Sequence, residues 1–289
     1  MSIDLLQNQI RKLKNPSMVA FCLDKSQVPP DMINREGSLL EAYSVYAKGL
    51  LKELKSVVPA VRFAFGTFAL YGAGGLSLMQ ELLSYAKELG LYILLDMPEL
   101  TSPQEASVAA ETVFSDDIWM FDGISLSCYI GSDALKPFLS GMERNDKDLF
   151  VLLRTANKTA QELQDLLTGS RLVYTAAADI AKRVGQPFIG RSGFSRVAGV
   201  GPATSPDSLQ TLRSKYPEMF LLVDGYDYSG ANAKNCSFAF DKLGHGAIVC
   251  AGESILGAWK EETAADYYEA ALLSAERMKK NLTRYVTIF

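Results

Sequence analysis

Four carboxylates and one guanidinium stand where a folded chain could put them to chemical use. Asp24, Asp96 and Asp224 each follow a short apolar run, Glu253 closely follows another, and Arg62 sits inside one. A carboxylate at the end of a buried strand can exchange a proton, orient a cation or hold ligand hydroxyls. The plain structural alternative is an Asp that caps the next turn or satisfies loop amides. Several acids gathered on one face favour a ligand site over that alternative. Ser127, Arg154 and Thr155 close two more apolar runs and add hydroxyl and guanidinium groups.

Glycines supply a second signal. Asp224-Gly225-Tyr226-Asp227-Tyr228-Ser229-Gly230 and Ala251-Gly252-Glu253-Ser254 follow the last two apolar runs. Such loops hold phosphate through backbone N–H groups. Here Asp224, Asp227 and Glu253 work against an anion, and neither loop contains a compensating Lys or Arg. The same three acids could instead offer oxygen ligands to Mg²⁺ or Ca²⁺, but acids on exposed loops are more often simply solvated, and no metal is expected. His245, the single histidine, excludes a His-rich metal cluster, argues against a Ser-His-Asp triad and reads as structural.

The elements that must position these groups alternate in type. Apolar, strand-like runs cover residues 18–23, 61–68, 91–95, 121–126, 149–153, 197–200, 220–223 and 247–250. Between them, residues 39–57, 74–89, 103–113, 133–139, 159–167, 171–184 and 205–216 carry helical spacing or helix starts. The helix over 159–167 opens on a capping-box-like Thr159-x-x-Glu162. The runs show little polar alternation, as strands covered on both faces do. About eight such units over ~250 residues predict an α/β fold, a closed (β/α)8 TIM barrel, with function on the loops after the strands. No G-x-G-x-x-G follows the first run, so a dinucleotide fold gains no support. Residues 1–289 read as a single barrel domain, with an N-terminal extension over about 1–16 and a C-terminal helix over about 260–282.

Composition narrows the partners. Hydrophobic residues make up 48% and charged residues 21%, enough for a large core, and the net charge of −4 leaves no basic stripe for nucleic acid. No apolar stretch reaches the ~20 residues of a membrane span, and Met1-Ser2-Ile3-Asp4 lacks the basic, apolar start of a signal peptide. Cys22, Cys128, Cys236 and Cys250 are scattered, which reads as free thiols in a reducing cytoplasm. The partner expected is a small molecule.

Several separate motifs, in order from about residue 18 to 258, resemble one family. The segment Tyr129-Ile130-Gly131-Ser132-Asp133, continuing to Pro137-Phe138, is similar to the P-Y-x-G-x-D-x-x-x-P-F motif of orotidine 5'-monophosphate decarboxylases of the longer bacterial subfamily. Phe150-Val151-Leu152-Leu153-Arg154-Thr155-Ala156-Asn157, followed by Leu163-Gln164-Asp165-Leu166, resembles that subfamily's F-V-L-x-R-T-S-N…L-Q-D-L. Tyr71-Gly72 with Gly75-Leu76, and Pro202-Ala203-Thr204 with Pro206 and Leu209, also fit, as does Leu23-Asp24.

The resemblance implies a barrel that removes the carboxylate of orotidine monophosphate without a cofactor. It also implies a nucleotide ligand and a homodimer with sites at the interface. The family's Asp-x-Lys-x-x-Asp signature supplies an orienting acid, a lysine that protonates the carbanion, and a second acid reaching the partner's site. Here it reads Asp96-Met97-Pro98-Glu99-Leu100-Thr101. Asp96 remains, Pro98 stands at the lysine and Thr101 at the second acid. Arg62 matches the family's second-strand lysine, Asp24 its ribose-contacting acid and Thr155 its base-contacting hydroxyl. Ser229 falls at the phosphate loop's Gln and Glu253 at its clamping Arg, with Gly225 and Gly230 beside Ser229. The resemblance therefore implies a pyrimidine-pathway barrel with a degenerate motif: a ligand-binding or regulatory pseudoenzyme. An active decarboxylase with an unusual site, and a different lyase or isomerase using Asp96 and Arg62, are the alternatives.

Overall fold

The protein's structure, a computed structural model, describes residues 2–97, 99–115, 118–261 and 266–289. Among these, eight parallel strands close into a barrel. They are β1 (Ser17–Phe21), β2 (Ala60–Ala64), β3 (Tyr92–Asp96), β4 (Gly123–Ser127), β5 (Asp148–Leu152), β6 (Ser195–Pro202), β7 (Met219–Asp224) and β8 (Ala247–Ala251). Each pairs with its neighbours in chain order, and β1 pairs with β8 (Ser17 opposite Val249) to close the ring. The (β/α)8 expectation is met. The strands are nearly all buried because helices cover them outside and side chains fill them inside.

Registry fixes what meets at the barrel mouth. Ala64 lies opposite Asp96, Asp96 opposite Ser125, and Pro202 opposite Asp224. Period two places Arg62 and Ala64 on one face of β2. Lower in the barrel, Tyr92, Phe150 and Phe220 are fully buried, with Phe150 edge-on to both of the others. Gly123 is needed there: a Cβ would stand 2.5 Å from the Tyr92 hydroxyl and 2.9 Å from the Phe150 ring.

The helices follow the sequence pattern with instructive exceptions. The helix Leu39–Leu54 starts on a Ser38–Glu41 cap and buries Tyr43, Tyr46, Leu50, Leu51 and Leu54. The run over 61–68 is not one strand. It is β2 followed by the short helix Phe65–Ala69, whose turn is held by the Thr67 hydroxyl donating to the Ala64 carbonyl at 2.8 Å. A continuous apolar run cannot separate a buried strand from a buried helix. The helix expected over 159–167 is also absent. A 3-10 turn, Lys158–Glu162, leads into a small hairpin, Leu167–Thr168 against Arg171–Leu172. Side chains at Gln164 and Asp165 are tied back to the end of β5, which leaves no length for a helix. At the C-terminal side the long helix is Tyr267–Thr283, capped by Asp266, and starts later than the expected 260. At the N-terminal side the expected extension is a helix, Ile3–Leu13, whose Asp4 accepts the backbone N–H groups of Arg191 and Ser192.

Candidate functional site

Arg62 is the hub of the barrel mouth. Its Nε donates to Asp96 Oδ2 at 2.7 Å and its Nη1 lies 2.9 Å from Asp224 Oδ2, so one guanidinium joins β2, β3 and β7. Burial alone would weaken its hold on the proton, but Asp224 and then Asp96 outweigh that and keep it firmly charged. Asp96 is doubly engaged, since its Oδ1 also accepts from the Ser125 hydroxyl at 2.5 Å. Ser125 was not singled out in the sequence. Strand-end reasoning pointed to Ser127, two residues on, whereas Ser125 is the residue paired across from Asp96. A base with both oxygens already accepting is poorly placed to abstract a substrate proton.

Around this hub lies a pocket of about 290 Å³. Of the residues named from sequence, Arg62, Asp96, Gly225 and Glu253 line it, joined by Asp224 and Asp227; Gln27 and Tyr228 complete its polar wall. Arg62 is the one cation among the described lining residues. Gly225, at φ +80, turns the chain sharply after β7 and its N–H caps the Asp224 carboxylate. The next acid then reaches the loop after β8: Asp227 Oδ2 accepts the backbone N–H of Gly252 at 2.7 Å. A backbone donor in the region where barrels hold phosphate thus already carries a carboxylate.

The other residues named from sequence are held elsewhere. Asp24 caps a 3-10 turn by accepting the Ser26 N–H and hydroxyl, both at 2.8 Å. Thr155 gives its N–H and hydroxyl to Gln164, beside a two-pronged Arg154–Asp165 ion pair at 2.8 Å per contact. The Arg-Thr…Gln-Asp motif is therefore a strap across the β5 exit. Ser127 accepts the Tyr129 N–H, and Ser229 and Gly230 lie on the exposed part of the β7 loop. Thr101 donates N–H and hydroxyl to Glu105, capping the helix Pro103–Ser115. Pro98 lies outside the described residues. His245 sits against the Phe289 carbonyl, bordering a different cavity from the mouth pocket.

Other chemistries find little footing. Burial pushes the Cys22 thiol up and Cys250 further up, so neither is poised as a thiolate nucleophile. Among the described residues no three His, Cys, Asp or Glu side chains are grouped to hold a metal ion. Among the same residues no helix is long and apolar enough to cross a membrane.

Comparison with known proteins places the chain among relatives. No family model matches it. A curated protein of Clostridium acetobutylicum named orotidine 5'-phosphate decarboxylase is 28% identical over 287 residues, covering 98% of this chain and 99% of that one. The structure of a Leishmania donovani OMP decarboxylase superposes with a TM-score of 0.73 at 25% identity, over 98% of this chain and 99% of that one. A Plasmodium berghei orotidine 5'-monophosphate decarboxylase shares the fold with a TM-score of 0.78 at 14% identity, over 98% of each chain.

Proposed function

We propose that this homologue of the orotidine 5'-phosphate decarboxylases does not decarboxylate orotidine monophosphate and uses its barrel mouth to bind a ligand, as a pseudoenzyme. The observation that carries the reading is the Asp227 carboxylate on the Gly252 amide, with Glu253 next in the loop. A phosphate monoester would bring about −1.5 to −2 charges to a place already negative. Two unit charges about 4 Å apart repel by roughly 4 kcal/mol at an effective dielectric near 20.

The chemistry at the strand ends supports the same reading. Proline at 98 has no proton to deliver to a carbanion and no charge to stabilise one. General acid catalysis is worth ~10²–10⁴-fold and one well-placed stabilising group another ~10²–10³. Arg62 keeps a positive charge near Asp96, but that charge is divided between two carboxylates. We place the protein in a reducing cytoplasm, supported by its four free cysteines. We take its assembly to be a homodimer.

The test is turnover. Purified protein incubated with orotidine monophosphate is expected to release no uridine monophosphate above the uncatalysed background. A kcat of roughly 1 s⁻¹ or more, the ordinary enzyme range, would overturn the proposal.

A further inference from the structure

The floor of the barrel, at the opposite end from the mouth, is covered by the N-terminal helix Ile3–Leu13. Ile3, Leu6 and Ile10, at helical spacing, are fully buried on its inner face. Its polar ties run to four separate parts of the chain. Asp4 accepts the Arg191 and Ser192 N–H groups, and Gln7 Oε1 accepts the Gly246 N–H at 3.0 Å. Gln9 Nε2 donates to the Gly90 carbonyl and Arg11 Nε to the Phe289 carbonyl. The eight strands close their ring by pairing with one another, so the ring does not depend on this helix.

A hinge lies at one end of the helix and an unmet pair of polar atoms under the other. Lys14, which ends it, takes the left-handed conformation at φ +47, an uncommon one for a lysine. Asn15 behind it is pinned: its Nδ2 donates to the Val57 carbonyl at 2.6 Å and its Oδ1 accepts the Ser17 N–H and hydroxyl. The helix can therefore pivot at Lys14 while β1 stays in place. At the other end Ser2 gives no side-chain cap, and the Ile3 N–H faces the fully buried carboxyl of Asp148. Asp148 Oδ1 and Arg196 Nε stand 3.5 Å apart, both buried and neither hydrogen-bonded. Facing groups that are buried and unbonded are unfavourable, and water reaching them would relieve that.

We propose that the N-terminal helix is a hinged cover that lifts from the barrel floor when Asp148 gives up its proton. Burial pushes the Asp148 carboxyl up to about 7, against the pull of Tyr92 and Arg196. With the helix lifted, water reaches the carboxyl and it ionises in the ordinary range. Docking is therefore tightest at low pH and loosens as pH rises toward 7. The other charged groups around Asp148 are held. From β3 the Tyr92 hydroxyl donates to Oδ2 at 2.8 Å. Asp122, fully buried before β4, pairs with Lys87, and Lys147 Nζ donates to the Phe121 carbonyl. From β6 Arg196 also lies 3.4 Å from Asp146. On the helix itself, hydrogen bonds from Ser192 and Arg191 outweigh burial and hold Asp4 below the usual carboxylate range, so it stays ionised throughout. The inference is independent of what the mouth binds.

Hydrogen exchange of the full chain at pH 5 and pH 7, corrected for the intrinsic rate at each, tests this. The amides of residues 7–13 are expected to lose at least about tenfold in protection between the two. One titrating proton changes an opening constant by up to ~10-fold per pH unit in that interval. The β7 amides from Phe220 to Val223 are expected to remain better protected than the helix at both values. Asp148→Asn, which cannot ionise, is expected to abolish the fall. His245→Asn is expected to keep it, although His245 shares the Phe289 carbonyl with Arg11; this second variant decides the matter if the first does not fold. Equal protection at pH 5 and pH 7, a fall that survives Asp148→Asn, or one that His245→Asn abolishes overturns the inference. So do helix amides that exchange only as slowly as those of β7, because the helix would then open only with the whole barrel.

Discussion

Replacing Arg62 by Met is expected to cost about 3–5 kcal/mol, the usual penalty for removing one partner from a buried ionic group. Thermal melts should show it as a fall in Tm of roughly 6–15 °C. The guanidinium is 17% exposed, against 20% for Asp96 and 36% for Asp224. The Asp96 leg is the less screened by solvent, but Asp224 pulls harder on the Arg62 charge, so the loss is shared between the two legs. Without Arg62 two carboxylates from β3 and β7 face each other across the mouth. The triple change Arg62→Met, Asp96→Asn, Asp224→Asn removes the charges together and should recover most of the loss. A single Arg62→Met variant melting within about 1 kcal/mol of wild type would show that the guanidinium does not hold the mouth together.

A second large effect concerns Asp148, buried at the start of β5. It is fully buried, accepts from the Tyr92 hydroxyl at 2.8 Å, and has an Oδ1 with no hydrogen-bond partner 3.5 Å from Arg196 Nε. Burial pushes its carboxyl up to about 7, against the opposing pull of Tyr92 and Arg196. The folded protein then holds this proton more tightly than the unfolded chain. The stability it contributes is complete below the ordinary carboxylate range and is lost as pH rises to about 7. The shift of about three pH units is worth ~4 kcal/mol at most. Nearby charges are set: Lys87 pairs with Asp122, and Arg196 also lies 3.4 Å from Asp146. Asp148→Asn should therefore melt above wild type at pH 8, with the difference shrinking toward pH 5. A difference that stays flat with pH, or an Asn variant less stable at pH 8, would contradict this account.

How much of this could be read from residues alone depended on how local the physics was. The barrel strands were legible because a doubly covered parallel strand is apolar along its length, as in Phe220-Leu221-Leu222-Val223. The run through Phe68 does not announce its break because apolarity does not encode backbone conformation; a single Thr67 hydroxyl bond marks the change from strand to helix. The segment 159–167 carried helix-start chemistry, but Arg154–Asp165 and Thr155–Gln164 override it. Propensity is weaker than tertiary contact at such places.

The site divides the same way. Asp96 and Arg62 were visible as charged groups among apolar neighbours. Their union with Asp224 was not, because it spans the barrel between distant parts of the chain. Ser125 required the strand register, and the meeting of Asp227 with the Gly252 amide required the turn at Gly225. Counting acids in the β7 and β8 loops showed that an anion would be repelled. Only geometry showed that one of those acids already occupies a backbone donor there. Asp24, equally conspicuous in the sequence, proved to satisfy its own turn.

Asp227 occupies the Gly252 amide in the loop region where barrels commonly hold phosphate, and on the proposed reading that leaves no place for an anion. Calorimetric titration of uridine monophosphate into the wild-type protein and into an Asp227→Ser, Glu253→Arg variant tests it most directly. No saturable binding by wild type up to millimolar ligand is predicted, with binding gained in the variant. A wild-type Kd in the micromolar range, worth about −8 kcal/mol, would contradict it.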